Sequence, residues 1–230
     1  MAAPTKTSLL KRWNRDKILA VEVLLDDPKL DLDALGRLIG FSDGQEGVRL
    51  VHIRAFPLRK RYDSRELHGV DMSHCQWDLK GKYTRVVATN CRFQRMRITG
   101  ALAARFVRCD FSHSALIEND GTPGVLFERC DFSFCRFRKG DFLRCEFRDC
   151  TFASARIPDA EFLECVFSDC EFTDAVFDSG SFGQSTFRNV KNNFLYKNLE
   201  DMSPAEFVAD PRYPTVNLAE TSMIGVKFAL

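Results

Sequence analysis

From Phe127 to Phe187 an aromatic or aliphatic residue falls at every fifth position without a miss: Phe127, Phe132, Phe137, Phe142, Phe147, Phe152, Ile157, Phe162, Phe167, Phe172, Phe177, Phe182 and Phe187. Two residues before each stands a small or slender side chain: Val125, Cys130, Cys135, Gly140, Cys145, Cys150, Ala155, Ala160, Cys165, Cys170, Ala175, Gly180 and Ser185. A period of five matches neither the 3.6 of an α-helix nor the 2 of a flat strand. It matches a chain that turns a corner every five residues, with positions i and i−2 inward and the rest outward. Four such sides close a square coil of about twenty residues, and repetition of this kind decides a fold before any other signal. Residues twenty apart then stack, so Phe127, Phe147, Phe167 and Phe187 form one column. Its rungs repeat at ~4.8 Å, the spacing of paired strands. Each buried ring contributes about 2–3 kcal/mol.

Units such as Cys130-Asp131-Phe132-Ser133 and Cys145-Glu146-Phe147-Arg148 resemble the pentapeptide-repeat family, whose repeat reads small, polar, Leu or Phe, polar, polar. The resemblance implies an all-β solenoid, a right-handed quadrilateral β-helix. Shorter runs extend it at Leu67, Met72 and Trp77, at Phe93 and Ile98, at Phe106, Phe111 and Leu116, and at Leu218, Met223 and Phe228. The expected organisation is a helical cap or small domain over 1–60 and the β-helix over 61–192. A loop with a short helix follows over 193–215, and final repeats over 216–230.

The N-terminal sixty residues lie outside the resemblance. Residues 7–26 read as one amphipathic helix with Leu10, Trp13, Val21, Leu24 and Leu25 on a face, ended by Asp26-Asp27-Pro28. Asp31–Ile39 reads as a second helix closed by Gly40. Such helices serve as a lid, because an open solenoid edge invites pairing with other chains. The repeat is interrupted at 80–90, at 99–105 and at the turn-rich Ile117–Gly124. Ser203-Pro204-Ala205-Glu206 carries the signature of a helix start.

All nine cysteines precede an apolar residue by two positions, which assigns them to inner packing sites rather than to metal or catalysis. An odd number of thiols and no secretory signal at the N-terminus suit a reducing cytoplasm. No apolar run is long enough to cross a membrane. The four histidines, His52, His68, His74 and His113, sit at no metal or triad spacing, and no phosphate loop or nucleophile elbow is present. The expectation is a non-enzymatic protein without cofactor or metal.

Charge is where function shows. Residues 49–108 carry 14 Lys or Arg against 4 Asp or Glu. Residues 157–187 carry seven acids, Asp159, Glu161, Glu164, Asp169, Glu171, Asp174 and Asp178, and no Lys or Arg. Solubility alone favours interspersed signs, although outward positions are polar in any case. The family resemblance implies one binding mode. Several members bind DNA gyrase or topoisomerase IV by imitating a DNA duplex, protecting the enzyme from drugs or toxins. The acidic run then docks a type II topoisomerase. The competing expectation is a basic face, including Arg59, Lys60, Arg61, Arg92, Arg95 and Arg97, that docks another protein or nucleic acid. Single-strand recognition is the weaker form of it, since Tyr62 and Tyr83 are the outward aromatics the sequence offers. Oligomeric state stays open between monomer and dimer.

Overall fold

The computed structural model describes residues 6–26, 31–43, 49–57, 65–78, 84–100, 102–117, 122–178, 180–191, 193–196, 215–219 and 227–229. It is a parallel β-solenoid of about six turns with a few short helices at its N-terminal end. Every coil-to-coil pairing is parallel and joins inward residues of successive turns. The first face stacks Leu67, Ala88, Phe106, Phe127, Phe147, Phe167, Phe187 and Phe228 in register. The third stacks Trp77, Ile98, Leu116 and Phe137 in register, then Ile157, Phe177 and Leu218. The second is a row of single bridges, Asp71–Arg92–Asp110–Asp131–Thr151–Glu171. The fourth pairs Thr122, Phe142 and Phe162.

The corners explain how five residues make a side. Eighteen described non-glycine residues have positive φ, between 48° and 66°, and each lies two positions after an inward residue. Gly69, Gly100 and Gly124 fill the same position elsewhere. A left-handed residue turns the chain from one side of the coil to the next. It costs about 1–2 kcal/mol for most side chains and less for Asn and Asp. The cost is offset on the inside, where every inward ring from Phe127 to Phe187, Phe134 not being one of them, is at most 1 % exposed. Columns stack face to face, with Phe127–Phe147 at 5.0 Å, Phe147–Phe167 at 4.8 Å and Phe132–Phe152 at 5.1 Å. Adjacent faces meet edge to face, Phe127–Phe132 at 5.2 Å and 78°. Gly180 is needed in its inner slot, because a Cβ there would lie 2.6 Å from the Ala160 carbonyl oxygen.

The N-terminal lid departs from the single long helix the sequence suggests. It divides into α1 (Lys6–Leu10) and α2 (Arg15–Asp26). Asn14 breaks it by accepting the Lys17 amide at 2.9 Å, a side-chain cap that starts α2 anew. The break swings Trp13 onto Phe56, centroids 4.9 Å apart, with its indole N–H donating to the Arg54 carbonyl. Leu9 is consequently buried, whereas Leu10 is exposed. The second helix, α3 (Leu32–Ile39), forms as expected, with Asp31 as N-cap and Gly40 at its end. Strands β1 (Phe41–Asp43) and β2 (Arg49–His52) pair antiparallel, and β2 then pairs with Val70–Asp71 of the first turn. The lid therefore continues the solenoid's own hydrogen bonding.

Beyond Phe187, Asn193–Tyr196 is a strand at the end of the third face, and Thr215–Ala219 inserts between it and Val176–Asp178. The helix start at Ser203 and the inward Met223 lie outside the described residues.

Candidate functional site

The interior offers a ladder of thiols and packed rings, so chemistry has to be sought on the outer faces. Cys91, Cys109, Cys130, Cys150 and Cys170 occupy successive rungs of one column, all buried and reduced, as are the other four. Each Sγ–H points at a main-chain carbonyl, as Cys150 does towards Phe127 at 3.5 Å and Cys170 towards Phe147 at 3.4 Å. Burial pushes Cys91, Cys130, Cys135 and Cys170 up, keeping them neutral thiols. No group of three or more His, Cys, Asp or Glu among the described residues is placed to hold a metal ion. Nor is any described helix long and apolar enough to cross a membrane.

The seven acids are distributed around one lap of the coil. Asp159 sits at the corner between the third and fourth faces, Glu161 on the fourth, and Glu164 at the corner leading to the first. Asp169 is at the next corner, Glu171 on the second face, Asp174 at the corner after it, and Asp178 in the third-face strand. Glu164 accepts a hydrogen bond from Arg144 at 2.8 Å, which holds its carboxyl below the usual range. Asp169 accepts one from Asn189, and Glu171 one from the Thr173 hydroxyl at 2.7 Å. The group is a belt, one to two rungs deep.

The basic residues expected to form a patch are also separated. Arg59, Lys60, Arg61, Lys80 and Lys82 lie outside the described residues. Arg92 belongs to the second face, where it pairs with Asp71 at 3.5 Å and Asp110 at 3.9 Å. Asp71, wholly buried, also takes Arg54 of the lid at 2.5 Å and the Ser73 amide. These charges form an internal ladder that joins lid to coils. Only Arg95 and Arg97 of the expected set remain exposed and unpaired among the described residues.

A different basic surface emerges when positions one turn apart are brought together. The third face presents Arg97, Arg136, Arg138, Lys139 and Arg156, all exposed. Arg136 and Arg156 are direct neighbours in register on adjacent strands. Like charges abreast on a sheet are destabilising, and no ion pair to any of the five occurs among the described residues. The nearest acid in register is Asp159, one rung beyond Lys139 at the same corner. Beside this face, at the corner it shares with the second, lies an exposed aromatic that the sequence reading passed over. Phe134 is 56 % exposed, has φ 57°, and stacks on His113 with centroids 4.8 Å apart and planes 3° from parallel. Its position two after Phe132 was the available signal, since that position faces out in every turn.

Residues 126–162 match the family model of pentapeptide repeats, in eight copies. These residues are pentapeptide repeats. No curated protein matches its sequence significantly. Among solved structures, the chain is similar to trypsin-treated QnrB1, a plasmid-mediated fluoroquinolone resistance protein. That match has 16 % identity, covers 74 % of this chain and 85 % of that one, and has a TM-score of 0.35. Full-length QnrB1 matches at 12 % identity, with 77 % and 91 % covered and a TM-score of 0.33. The pentapeptide-repeat protein Rfr23 from the cyanobacterium Cyanothece 51142 matches at 9 % identity, with 71 % and 83 % covered and a TM-score of 0.20. At these values the superpositions carry no functional assignment, and the surfaces of this chain have to be read on their own chemistry.

Proposed function

We propose that the protein is a non-enzymatic binding solenoid that docks an anionic macromolecule against its third face. One observation carries the reading: Arg136 and Arg156 stand abreast, with Arg138 and Lys139 beside them, all exposed and none in an ion pair among the described residues. Folding gains nothing from that arrangement, whereas a polyanion laid along the face would neutralise it. The reading is tested with heparin, a polyanion that has neither bases nor peptide groups. The protein is expected to be retained on immobilised heparin at low salt and released as salt rises, because exposed charges are screened within about 8–10 Å. The triple variant Arg136→Glu, Arg138→Glu, Arg156→Glu is expected to flow through. Equal retention of that variant, or no retention of the parent, overturns the proposal.

The acidic belt supports a second reading, binding to a type II topoisomerase in the manner of a DNA duplex. Its support is seven acids within one lap, of which Asp159, Glu161, Glu164, Asp169, Glu171 and Asp174 are exposed. Its weakness is length, since one lap advances about 5 Å while a duplex presents charge continuously along its axis. Purified gyrase supplies the test. Inhibition of supercoiling that disappears in the Asp169→Lys, Glu171→Lys, Asp174→Lys variant would favour the belt. Unchanged supercoiling at micromolar protein leaves the basic face.

A further inference from the structure

We propose that the third face and its corner at Phe134 bind single-stranded nucleic acid, with Phe134 as the platform on which a base stacks. The inference rests on the basic-face reading and names its partner. It begins from a residue that breaks two local rules at once. A bulky aromatic in the left-handed region is strained, and a ring 56 % exposed forfeits the burial that stabilises every other phenylalanine from Phe127 to Phe187. The solenoid does not require it, because the same corner carries His74, Arg95, His113, Ser154 and Asp174 in other turns.

The ring's surroundings define what it can take. One side is covered by His113. The other faces the next rung, where the corner residue is Ser154, whose small side chain leaves room for a flat group to lie on the ring. Rungs repeat at ~4.8 Å and aromatic groups stack readily in that range. Arg136 follows two residues after Phe134, Arg156 stands one rung further on, and Arg95 and Arg97 stand two rungs back. The cations from Arg97 to Arg156 span three rungs, ~14 Å, the length of about four phosphates of a stacked strand at 3.4 Å each. At the far end Glu171 and Asp174 repel phosphate and bound the site. A platform flanked by cations at phosphate spacing suits a strand whose bases are free to leave the stack. A duplex keeps its base faces covered, and an acidic peptide uses the arginines but leaves the ring idle.

The test is fluorescence anisotropy on the full chain with a labelled twelve-nucleotide single strand, the same sequence as a duplex, and a polyglutamate peptide. The single strand is expected to bind most tightly, with log K falling against log salt at a slope of about −2 to −3 for three to four contacted phosphates. Phe134→Asn suits the left-handed corner and removes the ring, and is expected to weaken single-strand binding about tenfold or more. Phe134→Tyr should restore it, and circular dichroism confirms that both variants are folded. Equal affinity for the duplex, tighter binding of polyglutamate, or an unchanged affinity in Phe134→Asn overturns the inference. If that happens while heparin retention still depends on Arg136, Arg138 and Arg156, the basic face stands without its stacking site. If neither heparin nor any oligonucleotide is held, both readings fall.

Discussion

The solenoid has two halves held together by different physics. From Phe127 to Phe187, successive turns are spaced by 20 residues, and Phe fills nearly every inward site. Before it, the first face steps from Leu67 to Ala88, Phe106 and Phe127 at intervals of 21, 18 and 21 residues, and the inward set includes Met72, Trp77 and Ile98. The later half is a ring stack whose rungs are interchangeable. The earlier half has irregular rungs and holds them laterally, through the half-buried Arg54–Asp71–Arg92–Asp110 ladder and the docked lid. Where repeat regularity is lost, specific polar contacts replace generic packing.

The sharpest way to break the regular half is to hollow its stack. Phe152 touches rings above and below at 5.1 and 4.8 Å, so Phe152→Ala should cost about 3–5 kcal/mol in urea unfolding. Arg148, exposed and paired only across the surface with Glu146, should cost less than about 0.5 kcal/mol when changed to Ala. Equal losses would mean that the register of the inner face is not the source of stability.

The same contrast governs what was legible beforehand. A strict five-residue period exposes itself to counting, so the later half, the buried cysteines and the inward register could be read directly. Ala88 could not, because a small residue at an inward site carries no hydrophobic signal. The lid's break at Asn14 depends on a tertiary contact between Trp13 and Phe56 that local periodicity does not encode. The grouping of surface residues needed the fold for a geometric reason. A window along the chain averages over four faces, so it reported a basic segment and an acidic segment. The structure instead groups residues about twenty apart, which gathers Arg136 with Arg156 and sends Arg92 to Asp71.

In the irregular half the corresponding break is Asp71→Ala. It leaves Arg54 and Arg92 without their shared carboxylate, although both retain contact with water, and should cost about 2–3 kcal/mol. The loss should appear first at the lid, as an early change in Trp13 fluorescence, with the ring stack melting later. A single cooperative transition in the variant would show that the two halves are not separable.

Acid should weaken the lid more gently. His52 donates its Nε2–H to the Phe41 carbonyl, 2.8 Å away, and its Nδ1 is buried without a partner. Burial first, then the nearby Arg54 and Arg12, lower its pKa, and Asp71 only partly opposes them. The folded lid therefore prefers neutral imidazole. The unfolded chain takes up the proton below its ordinary value near 6.5, so stability conferred by His52 is present above that pH and declines as pH falls through it. His52→Gln should flatten the dependence of lid unfolding on pH between about 7 and 5. A parent protein whose lid is equally stable across that interval contradicts the assignment.

The smallest effect on stability should come from the residue with the largest proposed effect on binding. Phe132 and Phe134 are two positions apart in one repeat, yet the first is wholly buried and the second 56 % exposed. Phe134→Asn loses the His113 stack, worth about 0.5–1.5 kcal/mol, and relieves a left-handed conformation that costs a bulky residue a similar amount. The two terms nearly cancel, so the unfolding midpoint should move little. Phe132→Ala, by contrast, should cost about 3–5 kcal/mol. A variant of Phe134 that melts as early as one of Phe132 would place the ring in the structural core of the protein. One that melts with the parent but no longer holds a single strand would place it on the working surface.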